Sequence, residues 1–311
     1  MSRLVNPKSI HSIDISILKC VDCFSTELSY YNGAIRCMSC QREYNIIDDS
    51  IISMLPSRIS SVKQNEMRAR DNDSLNYDRR RSEDYTSLLD YFCIEKHSGF
   101  LSQDTVVLDL GAGTGRSTVK LTKACKIVFA VDFSLESLRI LRRKLINAGI
   151  SNVVLMQADI SRLPFYKPDC FDFINCEDFI QHIPSFGERE RILSELYCFL
   201  KKNGRLAITA YHYSRSKQSV DFIQPDKVGE SGKQGFHLND IYYYNFSLPE
   251  LYVLLYQQSF RILEYGLFFF ELPVWARILR RATRCDRIKL EKSLYRFLKS
   301  SANRVYFCAS K

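Results

Sequence analysis

The run VVLDLGAGTGRST, residues 106–118, passes from an apolar segment through Asp109 into glycines at alternate positions, Gly111, Gly113 and Gly115. Valine and leucine at 106–110 predict a buried strand, and glycine lets the chain turn sharply while keeping Cβ atoms away from a ligand. A helix that starts directly after such a turn aims its free N–H groups back at that ligand, so a nucleotide-like cofactor is implied. The dinucleotide fingerprint is G-x-G-x-x-G. Here the order is G-x-G-x-G, with Arg116 where the third glycine would stand and Asp109 two residues before the first. That departure favours S-adenosylmethionine over a dinucleotide.

Strands and helices alternate after this segment. Apolar runs predict strands at 105–110, 127–132, 153–158, 171–175, 205–210, 260–269 and 303–309. Helical spacing predicts helices at 85–100, 117–124, 135–148, 188–201, 248–257 and, less regularly, 274–298. Alternation of this kind gives an α/β fold, a doubly wound and mainly parallel sheet. Ligands of such sheets lie outside the carboxyl ends of the strands, where strand order reverses, so the residues that close each strand are the candidates. Asp132 closes the second strand in VFAVDFS and can accept from two ribose hydroxyls, or else cap the next helix, for which Ser134 is better placed. Asp159 closes the third in MQADISRLPF, where it can accept from an adenine amine or serve as a turn residue ahead of Pro164.

Upstream, Cys20, Cys23, Cys37 and Cys40 make C-x2-C-x13-C-x2-C within hairpin-like sequence. Two such knuckles facing each other bring four thiolates into tetrahedral reach of one zinc ion, and the alternatives are four buried free thiols or a redox dithiol. This predicts a zinc ribbon over 1–56, followed by a polar linker and exposed helix at 57–84 and a second domain at 85–311. The chain of 311 residues is long enough for both. No run of about 18 apolar residues and no apolar leader is present, so a cytoplasmic protein is expected. The net charge of +9 is uneven: residues 271–311 hold eleven Lys or Arg against three Asp or Glu, while the remainder holds 33 against 32.

The succession VVLDLGAGTG, VDFS, QADISRLPF and FDFINCEDFIQHI resembles the class I S-adenosylmethionine-dependent methyltransferases, particularly their ubiquinone/menaquinone-methylase-like branch. The resemblance spans roughly 106–210. It implies a seven-stranded sheet whose last strand is antiparallel. It also implies that Asp109, Gly111, Gly113 and Gly115 lie along the methionine part, that Asp132 with Phe133 holds the ribose, that Asp159 with Ile160 meets the adenine, and that Cys176 borders the methionine. The cysteine-bearing segment is similar to the small zinc-binding domain that activates methyltransferases or is fused ahead of them. A glycine usual near Asp49 in that domain is absent here.

Methyl transfer from a sulfonium needs alignment of the acceptor and, for a protic acceptor, a base. His182 in DFIQHI is the candidate base, and the alternative is a histidine bonded to nearby backbone. No N-P-P-Y segment follows the fourth strand and no Pro-Cys dipeptide occurs, which argues against base amino-group methylation and against covalent cysteine chemistry on pyrimidines. Inserts at 211–246 and 272–302 are expected to roof the acceptor pocket. The first carries His212, His237 and Tyr242 to Tyr244, of which at most two tyrosines can face inward. The second interleaves Arg277, Arg280, Arg281, Arg284, Arg287, Lys289, Lys292, Arg296 and Lys299 with apolar residues at helical spacing. It reads as a solvated face, or as a surface for RNA, an anionic membrane or an anionic substrate. The expected activity is methyl transfer to a small-molecule or lipid-linked acceptor. An RNA methyltransferase and a non-catalytic partner protein are the alternatives, and the intact cofactor residues argue against the latter.

Overall fold

Four short strands open the chain: β1 (Leu28–Tyr31), β2 (Ala34–Cys37), β3 (Glu43–Ile47) and β4 (Ile51–Met54). Each tight turn between them uses positive φ at two residues, Asn32 with Gly33 and Asp48 with Asp49. Turns of that hand match strand twist, so an Asp pair stands where glycine is usual. The polar segment after β4 carries a long helix, α1 (Ser61–Arg80). This computed structural model describes residues 14–80, 90–213, 233–237, 240–268, 302 and 304–311.

The alternating part follows: β5 (Val106–Leu110), α2 (Arg116–Leu121), β6 (Ile127–Asp132), α3 (Leu135–Asn147), β7 (Val153–Ala158), β8 (Phe171–Cys176), α4 (Phe186–Phe199) and β9 (Leu200–Tyr211). A hairpin, β10 (Gln234–His237) with β11 (Ile241–Tyr244), leads to α5 (Leu248–Gln257), β12 (Arg261–Phe268) and β13 (Arg304–Ser310). Serines 134, 185 and 247 cap α3, α4 and α5, and Glu250 completes a capping box on the last. The predicted helix at 274–298, with its basic face, lies outside the described residues. So do residues 85–89 of the helix predicted at 85–100.

Among the described residues one sheet contains every strand but the hairpin, in the order β1-β2-β3-β4-β7-β6-β5-β8-β9-β13-β12. From β4 to β9 neighbouring strands are parallel, and β13 runs antiparallel to both β9 and β12. Alternate residues serve opposite faces. Leu108, Leu110, Phe129, Val131 and Ile174 enter one core. Val107, Val128, Ala130 and Phe173 enter the other, with Leu138, Leu141 and Leu145 of α3.

The cysteine-bearing segment is built into this sheet. β4 pairs with β7 from Ile51 opposite Leu155 to Met54 opposite Ala158. Leu18 bridges Phe165, and the Lys19 N–H donates to the Pro164 carbonyl at 2.7 Å. Leu18, Ile35, Tyr44 and Met54 share one buried cluster with Phe129, Met156 and Phe165. The order of strands reverses at β5, which lies between β6 and β8, and that opens a cleft at their carboxyl ends.

Candidate cofactor and acceptor cavity

All three glycines of the turn adopt positive φ, 73° at Gly111, 54° at Gly113 and 90° at Gly115. Their surroundings separate their tasks. A Cβ on Gly115 would sit 2.1 Å from Leu141 Cδ1, so this glycine lets α2 pack on α3. A Cβ on Gly111 would touch Phe179 at 3.4 Å, and one on Gly113 would meet nothing nearer than 3.9 Å.

Two buried carboxylates brace the loop. Asp109 accepts from Thr118 Oγ1 at 2.6 Å and from Asn175 Nδ2 at 2.9 Å. Burial pushes its pKa up against those bonds. Asp132 accepts from the N–H of Gly113 and of Ser134, each at 2.8 Å. Its pKa is likewise raised by burial, while the Ser134 N–H and the Arg70 guanidinium oppose the rise. The second strand is thereby tied to the glycine loop.

Helix α1 lies across the mouth of the cleft. Asp71 accepts from Ser134 Oγ at 2.6 Å and from the Glu136 N–H at 3.2 Å. Asp78 accepts from Thr114 Oγ1 at 2.6 Å and pairs with Lys144 at 2.7 Å. On the same helix Arg70, Ser74 and Tyr77 face a cavity of about 540 Å³. Asp109, Gly111, Gly113, Asp132 and His182 line the same cavity, and Ser117, Asn175 and Glu177 join them. Glu177 is held by Ser117 Oγ at 2.5 Å and by Arg116, which also pairs with Asp90.

The other sequence candidates stand elsewhere. Gly115 is under Leu141 and Ile160 is buried in the core. The Phe133 carbonyl accepts from Gln157 Nε2 at 3.3 Å. Cys176 is fully buried, which pushes its thiol pKa far up. Asp159 lines a second recess of about 550 Å³, where Lys63 Nζ meets it at 2.6 Å and the Ser161 N–H and hydroxyl donate to it at 2.9 and 2.8 Å. The α1 residues were not legible in the sequence, because the helix is polar on every side and carries no apolar stripe that would announce a covered face.

The far wall comes from the strand ends and the hairpin. His182 is half-buried in the 3-10 turn Ile180–His182, and its Nδ1 donates to the Tyr242 carbonyl at 2.7 Å. Burial and the Arg70 charge keep its pKa well below the usual imidazole range, so the ring is neutral with Nε2 as its basic nitrogen. Tyr211 meets His182 edge-on at 5.8 Å and His237 edge-on at 5.7 Å between ring centroids. Arg304 lies 4.3 Å over the Tyr211 ring and holds the Asp178 carboxylate with contacts of 2.9 and 3.0 Å. The three consecutive tyrosines divide as strand geometry requires. Tyr243 stacks on His237 at 4.2 Å, whereas Tyr242 and Tyr244 turn to the buried Arg189, and none of the three lines the cavity.

In the N-terminal segment the four cysteine sulfurs lie within 4.8 Å of one another. Cys20 and Cys40 are 3.6 Å apart, Cys23 and Cys37 3.5 Å. Thiolates about 2.3 Å from one tetrahedral ion would stand about 3.8 Å apart, so the set fits zinc. The two knuckles repeat one geometry: Phe24 and Gln41 take φ of 62°, and their N–H groups donate to the carbonyls of Cys20 and Cys37. Burial disfavours the Cys20 thiolate, yet the Cys23 N–H and the Tyr44 hydroxyl outweigh it and bring the thiol down to about 7.

A doubly wound sheet with a glycine turn at its switch point and an acidic residue closing the next strand defines the class I methyltransferase fold, and residues 108–208 match the methyltransferase domain family. Residues 108–208 thus match a methyltransferase domain, and the sheet that holds them has the fold of S-adenosylmethionine-dependent methyltransferases. It is 32% identical over 130 residues to the ubiquinone/menaquinone biosynthesis C-methyltransferase UbiE of Wigglesworthia glossinidia brevipalpis, a match covering 39% of this chain and 47% of that protein. The demethylmenaquinone methyltransferase of Clavibacter sepedonicus is 36% identical over 105 residues, 34% of this chain and 40% of its own. The chain thus spans about half the length or less of these curated relatives. Among solved structures, Haemonchus contortus phosphoethanolamine N-methyltransferase 2 superposes with a TM-score of 0.56 at 18% identity over 81% of this chain and 61% of that one. A chain from the complex of the Haloferax volcanii Trm112 methyltransferase activator with a methyltransferase gives 0.52 at 14% identity, over 82% and 99%.

Proposed function

We propose that this chain transfers the methyl group of S-adenosylmethionine to a small-molecule or lipid-linked acceptor, with Cys20, Cys23, Cys37 and Cys40 holding one structural zinc ion. The observation that carries this is the single cavity that runs from the glycine turn and Asp132 to the neutral His182 and the hairpin. Gly111 and Gly113 offer backbone for close approach to the methionine part, and Asp132 offers its carboxylate to the ribose. Phe133, Gly115 and Cys176 shape these positions from behind. Adenine recognition by Asp159 and Ile160 requires Lys63 to release the carboxylate.

The sulfonium supplies an activated methyl group, so the protein's task is to align the acceptor in line with it and to exclude water. Helix α1 and the hairpin close the cavity from two sides. For a protic acceptor, His182 takes the proton at Nε2, because Nδ1 is committed to the Tyr242 carbonyl. One relative is named for C-methylation in ubiquinone/menaquinone biosynthesis and another as a demethylmenaquinone methyltransferase, which supports a ring-bearing small acceptor.

Calorimetric titration with S-adenosylhomocysteine should give saturable binding, and no binding at millimolar concentration would overturn the assignment. Activity should hold as salt rises from about 0.05 to about 0.5 M, whereas an RNA substrate or an anionic membrane would lose most of its binding over that range. Both of those alternatives drew on the basic residues 277–299, which lie outside the described residues.

A further inference from the structure

We propose that His237, delivered by the β10–β11 hairpin, is an acceptor-recognition residue whose Nε2 bonds a hydroxyl on a planar acceptor. The inference rests on the methyltransferase assignment above and adds to it the group that selects the substrate.

Among the described residues, His237 Nε2 is buried and has no hydrogen-bond partner. A buried ring nitrogen without a partner costs stability unless a ligand completes it. The ring lines the cavity that holds the glycine turn and His182. It is fixed rather than free to swing, since Tyr243 stacks on one face at 4.2 Å and Tyr211 meets it edge-on at 5.7 Å. Gly235, opposite Tyr243 in the hairpin register, makes room for that stack, because a Cβ there would come within 2.7 Å of the Tyr243 hydroxyl. Burial, with the charges of Arg304 and Arg70, brings the imidazole pKa down to about 4, so at neutral pH the ring offers one donor and one acceptor nitrogen.

The partner chemistry follows from the walls. His182, Tyr211, Phe179 and Tyr77 surround the same space with rings, which suits a flat unsaturated acceptor. A hydroxyl is the small group that can satisfy a neutral imidazole nitrogen in either tautomer. His182 meets the same Tyr211 ring at 5.8 Å, so the two imidazoles divide the work: His182 faces proton removal and His237 holds the ring in register.

The test uses 5-hydroxyindole and indole, two flat probes that differ by one hydroxyl, titrated into full-length protein saturated with S-adenosylhomocysteine. Wild type should prefer 5-hydroxyindole by about 10-fold, the scale of one buried hydrogen bond. His237→Phe should abolish that preference while leaving S-adenosylhomocysteine affinity within two-fold. His237→Gln, which keeps a donor and an acceptor at that point, should retain most of it, and its thermal midpoint serves as the folding control for both variants. An unchanged preference in His237→Phe, or no binding of either probe by wild type, would overturn the proposal. Failure of S-adenosylhomocysteine to bind would instead remove the methyltransferase assignment.

Discussion

At the scale of single residues, glycines that look equivalent in the sequence do different work. Gly115→Ala drives a Cβ into Leu141 at a φ of 90° and should cost about 3 kcal/mol, combining overpacking with left-handed strain. Gly113→Ala has open space, so its strain should be nearer 1 kcal/mol, and under the proposed function its methyl group should weaken cofactor binding at least 10-fold. Urea unfolding and calorimetry on the two variants separate the effects. His182 carries the other residue-scale expectation: His182→Ala should lower turnover about 100-fold with cofactor affinity kept within a few-fold, and unchanged turnover would remove its role as base. Spacing alone shows that glycines and a histidine are present here. Which glycine faces a helix and which faces a ligand depends on Leu141 and Phe179, residues supplied by other elements.

At the scale of elements, the decisive part is α1. Its four latching residues, Lys63, Met67, Asp71 and Asp78, reach β7, α3 and the glycine loop across the cavity mouth. Asp71→Ala removes acceptors for Ser134 Oγ and the Glu136 N–H, and should loosen the helix by about 1 kcal/mol. Hydrogen exchange across residues 61–80 would then accelerate about five-fold while exchange in β5 to β8 stays constant. Equal acceleration in both would show that α1 is part of the core and does not open separately. The strands of the methyltransferase sheet were legible to within a few residues because two-residue periodicity and apolar runs are local properties. The seat of α1 was not, since its contacts are polar and distant: Lys63 and Asp159 are 96 residues apart.

For the molecule as a whole, the cysteine segment and the methyltransferase sheet should unfold together. They share β4–β7 pairing and one buried cluster, so zinc chelation should lower the midpoint of a single thermal transition and leave no separate early one. Two resolved transitions would contradict the shared core. Acid should act on the same unit. His97 is buried against Phe173, and burial brings its pKa to about 4, so the folded state resists the proton that the unfolded chain takes up near 6.5. The folded-state pKa is depressed, so this stabilisation is complete above about pH 6.5 and is lost as pH falls toward 4, by about 3 kcal/mol for this residue. Urea midpoints measured from pH 7 to 4.5 should fall, with a shallower slope in His97→Phe. His182 and His237, also depressed by burial, add to the same trend. No helix among the described residues is long and apolar enough to cross a membrane.

The sequence by itself determined the strands of the methyltransferase sheet, the glycine turn and the pairing of two cysteine knuckles, because each is written in residues a few positions apart and obeys strand period or turn chemistry. Tertiary structure alone decided that β4 extends that sheet, that Lys63 occupies Asp159 and that His237 lines the cavity with its buried Nε2 unsatisfied. Those outcomes depend on which distant surfaces meet, and side-chain identity at one position carries no record of the partner that burial will bring to it.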